Sequence, residues 1–237
     1  MVSMNRLLAR VSVHLVLVGA LGLVGCTGGA NVQPVRAQQP VAAPTTIDHG
    51  ALTNLLQTYV DAAGMVDYAA LKTNHDGVLA PYLQQLAETD PANLGDKARL
   101  AFWINAYNAL TLKLIVDHYP VERIKDSTPA GGPSIPKLNA PWHVTVGEVG
   151  GQMRTLDEIE HEIIRERFDE PRIHFALVCA ALSCPRLRRE AFTGARLDAQ
   201  LDDQAHRFLH TRAKNQIPAS DGAIRLSRIF KWFEEDF

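Results

Sequence analysis

The sequence predicts an α+β fold, a helix-rich single domain packed on a small, mostly antiparallel sheet. Three observations lead there. The longest periodic stretch, Asp96 to Tyr119, is apolar almost all the way round, as a helix central to its core must be. Shorter amphipathic stretches at helical spacing precede and follow it. The segments that read as strands, Trp142 to Val146, Ile173 to Val178 and Ala223 to Leu226, are few and short. The chain has 237 residues, 46% hydrophobic and 21% charged, which is ordinary for a globular domain. Its 24 basic and 26 acidic residues nearly cancel. That balance argues against nucleic acid or an anionic membrane surface as a partner of the domain.

The first residues read as a leader rather than as fold. Arg6 and Arg10 precede an apolar run from Val11 to Leu23. The run is shorter than the roughly 20 residues a membrane-spanning helix needs, and it suits the h-region of a secretory signal. It ends in Leu23-Val24-Gly25-Cys26, which resembles a bacterial lipoprotein signal, with residues 1–25 removed and Cys26 acylated. One lipid chain binds a membrane weakly, so the resemblance implies several on Cys26. Residues 26–46, rich in Gly, Pro, Ala, Gln and Val, read as a flexible tether. The expected location is the cell envelope, lipid-anchored on the extracytoplasmic side. The globular domain is expected over 47–237.

Within the domain, Leu52, Leu55, Leu56 and Tyr59 mark a helix over Ile47 to Asp61, which Gly64 ends. Met65 to Tyr68 reads as extended, and Asp76 to Glu88 as a second helix through Leu79, Tyr82, Leu83 and Leu86. In the long helix, a strip through Arg99, Ala106, Lys113 and Asp117 is expected to be wet. Asn105 and Asn108 fall in its apolar sector, where a bare amide costs about 1–3 kcal/mol. They either tie neighbouring loops to the helix or orient a catalytic group. Val121 to Ala140 is a long Pro/Gly-rich loop. A hairpin comes next, turning through Gly147 to Gly151. Thr155 and Glu158 form a capping box that starts a helix running to about Arg167. Its inner face is Leu156, Ile159, Ile163 and Ile164, with Glu160 among them and His161 at the flank. Ile173 to Val178 reads as a central strand. Gly194 to His210 is amphipathic, and Ser227 caps a last helix with Ile229, Phe230 and Phe233. Phe237 is an apolar residue inside that helix, so the native chain is expected to continue.

FWINAYNALTLKLI, SIPKL, TLDEIEHEIIR, PRIHFALVCAALSCPRL and IFKWFEEDF occur in that order. Together they resemble the domain of unknown function 547 family over about residues 94–237, and the earlier GMVDY suits its lead-in. The resemblance implies a bacterial envelope or secreted protein, with plant relatives that carry a leucine-zipper region. It implies no particular activity. The signature positions it carries onto this chain are Trp103, Asn105, Tyr107, Asn108, Glu160, His161, His174, Cys179, Cys184 and Pro185.

Two readings of function stand side by side. The first is a binding or interaction module for an envelope protein, peptide or glycan, with Cys179 and Cys184 bridged or buried. The alternative is a thiol hydrolase or acyl transferase. In it Cys184 is the nucleophile at the start of a short helix capped by Ser183, His174 or His161 is the base, and Glu160, Asn105 or Asn108 orients it. Five strand steps would separate His174 from Cys179 by about 16 Å on opposite faces. The preceding helix, running back along that strand, sets Glu160 and His161 beside His174 rather than beside the cysteines. In papain-like enzymes the cysteine precedes the histidine, so a thiol enzyme here would be permuted. A zinc site through His174, Cys179 and Cys184 has looser spacing than the usual pairs. Neither a metal nor a cofactor is expected. Arg186, Arg188 and Arg189 read as a solvated basic face or an anion site.

Overall fold

The computed structural model describes residues 46–120, 140–181, 183–216 and 222–237. The leader, Cys26, nearly all of the tether and the SIPKL block lie outside the described residues. The described part is helix-rich, with one small antiparallel sheet, as expected of an α+β domain.

The domain is built around α4 (Asp96–His118), seventeen of whose 23 residues are buried. Ala106 is fully buried, so the strip expected to be wet is interrupted at its middle. An alanine adds no group that must reach water, and neighbouring elements close over it. Each large aliphatic or aromatic side chain so buried contributes about 1.5–3 kcal/mol.

Helices α1 (Gly50–Tyr59), α2 (Tyr68–Val78) and α3 (Ala80–Glu88) cover one side of that core. α1 and α3 follow the periodicity of the sequence. α2 begins eight residues before the expected second helix, because Asp67 caps it by accepting from the Ala70 amide at 3.0 Å. Val60 and Val66 pair as a single antiparallel bridge around a turn. Gly64 (φ +79) makes that turn possible. A Cβ there would also come within 2.7 Å of the Arg186 Cβ, so the turn sits directly on the segment after the cysteines.

Strands β1 (Thr145–Val149) and β2 (Gln152–Thr155) form the predicted hairpin, with a 3₁₀ turn at Pro141–His143 where the sequence predicts that Trp142 begins a strand. The turn is the pair Gly150 and Gly151, both at positive φ. Their amides donate to the Leu86 and Ala87 carbonyls, at 3.0 and 2.8 Å. The hairpin thereby satisfies carbonyls that the end of α3 leaves unpaired.

The capping box forms as predicted. The Glu158 amide donates to Thr155 Oγ1 at 3.0 Å, and the Thr155 amide donates to the Glu158 carboxylate at 2.9 Å. The chain is then π-helical over Glu158–Ile164 before a short α5 (Arg165–Arg167). Ile159, Ile163 and Ile164 still face the core.

The predicted strand over Ile173 to Val178 does not form. Pro171–Phe175 is a 3₁₀ helix, and the described residues from there to α6 (Leu197–Leu209) are irregular, with Ala176, Leu177, Cys184, Leu187, Ala191 and Phe192 buried. Buried backbone must find partners, and here side-chain amides supply them in place of a sheet. Asn108 donates to the Ala176 carbonyl at 3.0 Å and accepts from the Val178 amide at 3.0 Å. Asn105 does the same for both groups of Phe192, at 2.7 and 2.9 Å. From α6, Gln200 holds Ala191 and Thr193, and Gln204 holds the carbonyls of Phe175 and Arg186. The irregular segment is thus fastened between α4 and α6. The short helix expected after Ser183 is absent.

The C-terminal part returns through an isolated bridge between Gln216 and Arg225, where the sequence predicts a strand, into α7 (Ile229–Trp232). Ile229 joins Phe175 and Phe208 in a second, smaller core, with Phe230 and Phe233 packed against it.

Candidate functional site

The stretch from Pro171 to Pro185 serves two separate places. At the first, Cys179 and Cys184 are joined by a disulfide, with Cα atoms 6.2 Å apart. The intervening turn uses Ala180 at positive φ (57). A cavity of about 290 Å³ opens beside the bridge. Its wall is mainly apolar, including Val66, Tyr68, Leu112 and Val178, and Cys184, Arg186 and Lys214 border it. Tyr68 is held neutral, because burial pushes its hydroxyl up to about 12. The Lys214 ammonium donates to the Cys184 carbonyl and lies over the Phe208 ring, 5.3 Å from its centre. Burial and the neighbouring Arg186 guanidinium both lower the Lys214 pKa. Among the described residues, no histidine lines this cavity. Asn108 does line it, but both ends of its amide are engaged by backbone.

The second place gathers the histidines. His174 is buried; its Nε2 donates to Asp236 Oδ2 at 2.6 Å, and its ring stacks on Phe233 with centroids 3.9 Å apart. Arg165 donates to both Asp236 oxygens, at 2.6 and 2.9 Å, and to Glu235 at 2.6 Å. Arg165 also donates to His161 Nδ1 at 2.9 Å, and its guanidinium lies 5.2 Å from the Phe233 centroid. The guanidinium beside it, with help from His174, holds the Asp236 carboxyl down at about 2. Burial lowers the His174 pKa, against the pull of Asp236. Burial raises the Glu160 carboxyl, while neighbouring His161, Tyr107 and Arg165 oppose the rise.

The structure therefore brings Glu160, His161 and His174 into one neighbourhood and Cys179 and Cys184 into another. Asn105 and Asn108 serve the backbone of the segment that links them. In this structure Cys184 has no free thiol, so the nucleophile of a thiol mechanism is not in place, and neither histidine borders the sulfurs. Among the described residues, no group of three or more His, Cys, Asp or Glu side chains is arranged to hold a metal ion. Nor is any helix there long and apolar enough to cross a membrane.

Sequence reasoning misses Asp236, Arg165 and Lys214. Arg165 has a faint signal, four residues after His161 and so on the same helical face. Asp236, inside the acidic run Glu234-Glu235-Asp236, and Lys214, in a loop, carry none.

Fold and site together define a helix-rich α+β domain whose irregular, disulfide-closed segment is held between two helices by buried amides. The chain belongs to the DUF547 family of proteins of unknown function, whose family model matches residues 91–209, half of the chain. The match takes in α4, the capping box and both cysteines, and ends before the IFKWFEEDF block that supplies Asp236. No curated protein and no solved structure matches the chain.

Proposed function

We propose that this protein is a lipid-anchored binding module of the bacterial cell envelope. Cys26 carries the anchor, the segment to about residue 46 is the tether, and the domain takes a ligand in the cavity beside Cys179 and Cys184 without transforming it. One observation carries the choice of binding over thiol chemistry. The two cysteine sulfurs beside the cavity are bonded to each other, and among the described residues no histidine lines it to serve as a base. An oxidising compartment, which a lipoprotein leader implies, is where such a bridge persists.

The test is chemical. The full chain, purified from membranes without reductant, is treated with iodoacetamide and mapped by mass spectrometry. Cys179 and Cys184 are expected unmodified until reductant is added, and Cys26 is expected to carry lipid that Cys26→Ser abolishes. Alkylation of Cys184 in the unreduced protein would restore the thiol-enzyme reading. A membrane association unaltered by Cys26→Ser would remove the anchor.

A further inference from the structure

The cavity wall is unevenly supplied with polar groups. Thr111 Oγ1 donates to the Tyr107 carbonyl and Thr211 Oγ1 to the Arg207 carbonyl, and the Asn108 amide is engaged by backbone at both its nitrogen and its oxygen. Donor chemistry remains at Lys214 and Arg186. Lys214 has three N–H groups, of which the Cys184 carbonyl accepts one. Arg186 is exposed and makes no ion pair with a carboxylate among the described residues, and neither does Lys214. Their neighbours differ. Arg188 is paired with Glu190 and Asp203, and Arg207 with Asp203. Arg189 donates to the Gln57 carbonyl at 2.8 Å. So within the basic run after the cysteines, Arg188 is neutralised and Arg189 is engaged by backbone. Arg186 is left close enough to the half-buried Lys214 ammonium to lower its pKa, and both residues line the same largely apolar cavity. Two like charges left together beside a low-dielectric wall repel each other, and a bound negative charge would relieve both.

We propose that the cavity beside the Cys179–Cys184 bridge receives a small organic carboxylate with an apolar body. Lys214 and Arg186 hold the charged end, and Val66, Leu112 and Val178 line the space for the body. This rests on the binding-module reading and names the ligand class. The volume of about 290 Å³ sits at the small end of ligand pockets, roughly 300–1,000 Å³. A bare inorganic anion would leave the apolar part of that space unfilled. A neutral apolar molecule would leave both cations uncompensated. Lys214 is tied to the bridge through the Cys184 carbonyl, so the disulfide also sets where the charged end is received.

The experiment is calorimetric titration of the full chain with three probes: 4-phenylbutyrate, its neutral isostere 4-phenylbutanamide, and inorganic phosphate. The carboxylate is expected to bind at least about tenfold more tightly than the amide, consistent with one charged hydrogen bond. Arg186→Gln, at an exposed position without ion-pair partners among the described residues, is expected to weaken the carboxylate about tenfold and leave the amide unchanged. Lys214→Met is expected to do the same, with circular dichroism checking that it folds. Equal binding of carboxylate and amide would overturn the anion inference and leave a binding cavity. Phosphate competing as well as the carboxylate would overturn the apolar half. No binding of any probe would overturn the inference outright. The binding-module reading fails by a different readout, alkylation of Cys184 in unreduced protein.

Discussion

Replacing Asp236 by asparagine keeps the shape of the side chain and removes its charge. In the wild type this carboxylate accepts from Arg165 Nε and Nη2 and from His174 Nε2. Its pKa falls from an ordinary 3.8 to about 2. At 1.36 kcal/mol per pH unit, that difference corresponds to a ceiling of about 2.4 kcal/mol. The side chain keeps 22% of its surface, so solvent screening reduces the expected contribution to about 1 kcal/mol. The sign comes from linkage. A depressed carboxyl stabilises the fold fully above 3.8, and that stability is lost as pH falls toward 2. His174 adds a second limb. Burial lowers its folded pKa below 6.5, so acidification through that value destabilises wild type and variant alike. Without Asp236 to favour the imidazolium, the variant loses more there. Urea unfolding of the full chain at a series of pH values should give Asp236→Asn as about 1 kcal/mol less stable at pH 7. The gap should widen slightly on going below 6.5, then close near pH 2. A gap at pH 2.5 equal to that at pH 7 would refute a charge-based latch, and so would a gap below about 0.3 kcal/mol at neutrality.

Two further predictions concern buried polar groups. Asn108→Leu strands the Ala176 carbonyl and the Val178 amide, at about 1–3 kcal/mol for each buried group left bare. The expected loss is about 2–4 kcal/mol in urea unfolding, with faster hydrogen exchange at Val178; unchanged protection there would mean another group holds the segment. His49 is buried 2.6 Å from the Tyr82 hydroxyl, and burial lowers its pKa to about 4. The fold should therefore lose stability as pH falls from 6.5 toward 4, by at most about 3 kcal/mol. His49→Gln should flatten that limb, and an identical slope in the two proteins would assign the loss elsewhere.

Features that depend on near neighbours are legible in the sequence. The capping box needs residues three apart, and α4 announces itself by a period sustained over six turns. The segment after Pro171 misleads for a definite reason. A short run apolar on every side has no period, so strand, 3₁₀ turn and buried coil look alike. The groups that decide between them are far along the chain: Asn108 stands 68 residues before the carbonyl it serves, and Gln204 stands 29 after. Side-chain amides can substitute for a neighbouring strand, and nothing local in PRIHFALV reveals whether they will. The histidine cluster shows the same limit from the other side. Glu160, His161 and His174 come together although the strand used to place them does not exist, because Arg165, Asp236 and Phe233 lie between the two histidines and contact both sides. Asp236 is invisible in the sequence because a run of acidic residues ordinarily means a solvated surface. Arg165 and His174, 71 and 62 residues away, turn one of them inward. Arg186 is the reverse case. Its run of arginines already poses the choice between solvated face and anion site, and folding decides it residue by residue. Carboxylates of α6 and the adjoining loop neutralise Arg188, whereas Arg186 is left without an ion pair among the described residues, lining an apolar-walled cavity together with Lys214.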